Sequence, residues 1–175
     1  MNPEMKNEIE LLTDKILEIR RLRDDDDYEI ADTKKVVKFK EMITHRIIPM
    51  IKEASMIIGR SGCSLNYYSN ELAVIRDPKK RIFIQILFYP YGHSKVTLGV
   101  NAPFLQFAYS PLKENIKVVE KLSIKSDEAS IKIDEIEIDK FAPERIEKYF
   151  LEFLRDVVKY NEAPEIFREN RNIKN

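Results

Sequence analysis

Residues 81–89 constrain the fold most. Ile82, Ile84, Ile86 and Phe88 alternate with Phe83, Leu87 and Tyr89, so both faces of one extended segment are apolar, with Gln85 the exception. Such a strand belongs inside a sheet, covered at least in part on both sides. It cannot stand alone, and the segments around it read as its neighbours. Leu65, Tyr67, Leu72 and Val74 suggest an irregular strand, interrupted near Ser69-Asn70 and closed by the turn Asp77-Pro78-Lys79-Lys80. After the strand, Pro90-Tyr91-Gly92-His93-Ser94 turns the chain into a further apolar stretch at 96–100.

Residues 102–112 alternate at Leu105, Phe107 and Tyr109 but are bracketed by Pro103 and Pro111, which reads as an edge strand or an ordered loop. Two more strands are expected at 116–125 and 130–138, joined by Ser126-Asp127-Glu128. In the second, Ile131 and Ile133 are out of phase with Ile136 and Ile138, and a bulge near Asp134 would restore one apolar face.

Helical periodicity lies before and after these strands. Asn2-Pro3-Glu4 has the chemistry of a helix start. Ile9, Leu12, Ile16, Ile19 and Leu22 then form a stripe at steps of three and four, ending near Arg23 ahead of four aspartates at 24–27. A second helix is expected from Asp32 or Thr33 to Ile58, with Gly59 as its cap. Pro49 lies within it and lacks the amide that the carbonyl of His45 needs, so a kink or break is expected there. A last amphipathic helix opens at Ala142-Pro143-Glu144, with Ile146, Tyr149, Phe150, Phe153, Val157 and Tyr160 on one side.

Helices flanking a run of strands with short connections indicate an α+β fold with mainly antiparallel pairing. The expected organisation is one domain over 1–160: a helical hairpin at 1–58, a sheet of five or six strands at 63–140, and a C-terminal helix at 143–160 packed on one sheet face. Residues 161–175 read as a polar, frayed tail, although Ile166-Phe167 could dock.

Charge excludes some functions. Thirty basic residues balance thirty acidic ones, so the chain lacks the electrostatic footprint of a dedicated nucleic-acid binder. The single cysteine, Cys63, rules out an intramolecular disulfide and an all-cysteine metal site, and suits a reducing compartment. The N-terminus has no apolar signal core, and no apolar run nears the roughly 20 residues a membrane helix needs. A cytoplasmic protein without a membrane segment is expected.

No phosphate loop, dinucleotide fingerprint, nucleophile elbow, zinc-protease helix or kinase signature is present. His45 and His93 are read as surface or locally bonded, and His93 is the better candidate because it sits in a turn. Cys63 with His93 would make a nucleophile and base only if the fold joined them. The aspartates at 24–27 and the alternating Glu135, Glu137 and Asp139 are read as solvated rather than metal-binding.

The aromatics in the sheet half carry more promise, since tyrosine offers apolar area with a hydroxyl. Tyr89, Tyr91, His93 and Tyr109 are the candidate contact residues. The expected function is a non-catalytic protein-interaction module without a cofactor, bound to a protein partner or to itself. The alternatives are a small-molecule pocket between sheet and C-terminal helix and, less favoured, an enzyme using His93.

Overall fold

The computed structural model describes residues 3–25, 34–72, 80–125 and 129–162. The turns expected at 77–79 and 126–128, Val74, and the tail from 163 lie outside the described residues. The chain divides into two compact units, Met1–Ile30 and Ala31–Asn175. The first contains helix α1 (Pro3–Asp25), two residues longer than its stripe implied, and is described by itself.

In the second unit, α2 (Lys34–Met42) passes through a π-helical turn at Ile43–Ile47 into α3 (Ile48–Ile58). The interruption expected at Pro49 takes the form of this turn, which ends two residues before the proline. The amide of Ile48 donates to the carbonyl of Ile43, five residues back, so the turn holds an extra residue. The same turn corrects the phase of the apolar face. Phe39, Ile43, Ile47 and Ile51 are spaced by four, and in an unbroken α-helix that spacing drifts by roughly 40° per step. With the extra residue absorbed, all four are fully buried.

Gly59 follows α3 with ordinary right-handed φ and does not provide a left-handed cap. A 3-10 turn at Gly59–Ser61 intervenes, and Gly62 takes the left-handed conformation instead, with φ 75°.

The sheet has five antiparallel strands in sequence order: β1 (Ser64–Ser69), β2 (Ile82–Tyr89), β3 (Phe104–Ser110), β4 (Asn115–Lys121) and β5 (Ile131–Glu137). β1 stops at Ser69 because the Asn70 side chain takes over the ladder. Its Oδ1 accepts from the amide of Phe83 at 2.8 Å, and its Nδ2 donates to the carbonyl of Arg81 at 3.0 Å.

Two expectations are corrected here. Residues 96–100 do not extend a strand: Ser94 caps a short helix α4 (Lys95–Leu98) through a capping box with Thr97, and a 3-10 turn at Gly99–Asn101 follows. Residues 104–110 are also no edge. β3 lies between β2 and β4, since Pro103 and Pro111 fall just outside the ladder and remove no donor from it. The carbonyl of Pro103 even accepts from the amide of Phe88 at 2.9 Å.

The bulge in β5 is present: Val118 opposes Asp134 while Val119 opposes Lys132, leaving Ile133 unpaired. It does not carry the apolar face through the strand, because Ile136 is buried whereas Ile131 and Ile133 are exposed.

Helix α5 (Pro143–Glu162) closes the fold. One contiguous core joins α2, α3 and α5 to the sheet face formed by Leu65, Ile82, Ile84, Ile86, Leu105, Phe107, Tyr109, Ile116 and Val118. Phe39 sits at its centre, with ring centroids 5.5 Å from Tyr109 and 6.2 Å from Phe141. On the other sheet face Phe83, Leu87 and Phe104 are half-buried. Truncating Phe39→Ala should cost about 3–5 kcal/mol in urea unfolding, as for other large core aromatics. Val37→Ala, exposed on the same helix, should change stability by under about 0.5 kcal/mol.

Candidate functional site

The four residues singled out from the sequence do not converge. Tyr109 opposes Ile82 and Ile116 on the helix-covered face of the sheet and is fully buried. Tyr89, at the end of β2, alternates onto the opposite face, where it is 2% exposed. Both hydroxyls are buried without a hydrogen-bond partner among the described residues, and burial raises both above the ordinary tyrosine range.

Tyr91 and His93 lie exposed in the connection after β2, with Tyr91 at 79% exposure. The Tyr91 ring covers the backbone of Gly62 so closely that a Cβ there would meet its Cδ2 at 2.6 Å. The pairing of Ser64 with Tyr89 brings the segment of Cys63 and the turn of His93 to one end of the sheet. Cys63 itself is free, half-buried and packed against the core.

Of the carboxylates read as solvated, the alternating set at 135–139 pairs with lysines, while Asp26 and Asp27 lie outside the described residues. Glu135 pairs with Lys132 at 2.6 Å, Glu137 with Lys140 at 2.9 Å and Asp139 with Lys38 at 3.0 Å. Among the described residues no cluster of metal-ligating side chains forms.

The bulge, in contrast, has an anchoring role. Asp134 accepts from the hydroxyl of Tyr149 on α5, and Arg145 lies 3.4 Å from the same carboxylate oxygen. The Tyr149 hydrogen bond, reinforced by the amide of Glu135 and by Arg145 and Lys132, outweighs partial burial and holds the Asp134 carboxyl below its ordinary 3.8.

One groove lies elsewhere. His45, Arg46, Pro49, Met50 and Glu53 face Pro143, Ile146 and Glu147 across about 240 Å³ at the start of α5. Sequence reasoning missed it by preferring His93 to His45. The signal was the proline: Pro49 has no amide to give the preceding turn, and the π turn it accompanies presents His45 and Arg46. Mixed charges on an apolar floor suit weak polar contacts, and the lining contains no cysteine, serine or threonine to act as nucleophile.

Among the described residues, α1 carries an exposed apolar feature with regular spacing. Met5, Ile9, Leu12 and Ile16 form one stripe, exposed by 56, 45, 53 and 53%. The helix is tied within itself by Lys6 to Glu10 at 3.9 Å and by the Thr13 hydroxyl donating to the carbonyl of Ile9 at 2.7 Å. No protein family, curated protein or solved structure matches the chain. Among the described residues no helix is long and apolar enough to cross a membrane.

Two outcomes follow from this geometry. Tyr109→Phe removes a buried hydroxyl that has no partner among the described residues, so urea unfolding should show unchanged stability or a gain of about 1 kcal/mol. A loss of that size would reveal a partner for the hydroxyl. Asp134, depressed in the folded state, contributes stability above pH 3.8 that is lost as pH falls through its lower folded value. Tyr149→Phe should therefore lower the urea midpoint at neutral pH and flatten its decline below pH 4, measured across a pH series.

Proposed function

We propose that the chain is a non-catalytic protein-interaction module of the cytoplasm, with the apolar stripe of α1 as its contact surface. The carrying observation is that stripe: four large apolar side chains at steps of three and four, each about half exposed, on a helix that is its own compact unit. An amphipathic helix takes most of its stability from packing its apolar face against another surface, so such a stripe suits a partner. The tyrosines that promised a polar pocket wall point to opposite faces of the sheet, and the interface of β3 with α5 is occupied by Phe107, Tyr149 and Phe141 in ring contact. These arrangements favour interaction over small-molecule binding.

The test replaces Ile9→Glu and Leu12→Glu together in the full chain. Native mass spectrometry of the purified protein and affinity capture from its host should show association by the parent chain and none by the variant. Thermal unfolding of the second unit should be the same in both. A parent chain that is monomeric and captures nothing, or a variant that associates equally well, would remove the reading.

A further inference from the structure

We infer that the partner of α1 is α1 of a second copy, paired antiparallel about a centre between Glu10 and Leu11. This rests on the interaction reading above and names its occupant. The stripe has coiled-coil periodicity: Met5, Ile9, Leu12, Ile16 and, in sequence, Ile19 alternate at four and three residues, with isoleucine at both a positions, Ile9 and Ile16. Leu11 lies outside this seam.

Charge selects the direction. From residue 4 to 14, Lys6 is outnumbered by Glu4, Glu8, Glu10 and Asp14. From 15 to 25, Glu18, Asp24 and Asp25 are outnumbered by Lys15, Arg20, Arg21 and Arg23. A helix with an acidic first half and a basic second half is complementary to its own reverse, and antiparallel pairing also opposes the two helix dipoles. In the stated register Ile9 meets Leu12 of the second copy, and Ile16 meets its Met5. The flanking positions then bring Glu8 against Lys15 of the second copy, twice by symmetry.

A parallel pair would instead set position 15 against position 20, lysine against arginine. An antiparallel pair shifted by one heptad would set Lys15 against itself. Both are repulsive, so one arrangement is favoured over its two nearest competitors.

The experiment is sedimentation equilibrium of the full chain over a concentration series, with Glu8→Lys, Lys15→Glu and the double exchange. Circular dichroism melting confirms that each variant is folded. The parent should dimerise. Each single exchange should raise the dissociation constant about tenfold, by turning two attractive flanking pairs into repulsive ones, and the double exchange should restore it.

A tighter dimer from Lys15→Glu alone would identify the parallel pair and overturn the inference, as would a dimer indifferent to all three variants. A monomer at every concentration would also overturn it. In that case, loss of host-protein capture by Ile9→Glu/Leu12→Glu leaves the interaction reading standing, and unchanged capture removes both.

Discussion

The second unit depends on one ridge of side chains, Phe39, Ile43, Ile47 and Ile51, held in line against the sheet by a single π turn. A spacing of four along four successive positions is too wide for an α-helix to keep on one side, and a proline two residues past Ile47 cannot serve the ordinary ladder. Both difficulties have the same solution: one extra residue in the turn at Ile43–Ile47. The ridge then stays buried from α2 into α3 and meets Tyr109 and Phe141 through Phe39. Continuity of this helix lets the sheet bury most of one face, from Leu65 in β1 to Ile136 in β5.

A five-stranded meander leaves two edges, and this one manages both with the same small device. In β1 the side chain of Asn66 accepts from the amide of Tyr67 at 2.8 Å; in β5 the side chain of Asp134 accepts from the amide of Glu135 at 2.7 Å. On β1 the Ser55 hydroxyl of α3 also donates to the carbonyl of Leu65 at 3.4 Å. β5 adds a bulge and a row of charges. Three outward backbone groups that could template pairing with another chain, the Leu65 carbonyl and the amides of Tyr67 and Glu135, are thus occupied locally.

The α+β class, the helices on either side of the strands, β2 and the bulge in β5 were legible because each rests on local periodicity. Four kinds of feature were not. The interior position of β3 was hidden because prolines at both ends look alike whether they bracket an edge or lie outside a ladder. The short helix α4 was hidden because four residues hold no periodicity, although the Ser94 and Thr97 pair was its visible signature.

The bulge was legible but its consequence was not: Ile131 and Ile133 are exposed while Ile136 is buried. The tyrosines failed as a group for a geometric reason: Tyr89 and Tyr109 occupy adjacent strands but opposite faces, and face depends on register, which no single strand reveals.

Stability lies in the second unit and, on the function proposed above, association lies in α1, a division of labour between the two. Amide hydrogen exchange of the full chain at two well-separated protein concentrations tests that division most directly. Amides of β2 and β3 should be strongly protected and indifferent to concentration, while those of α1 become slower to exchange as concentration rises. Protection of α1 that does not depend on concentration, or a concentration dependence spread over the sheet, would contradict it.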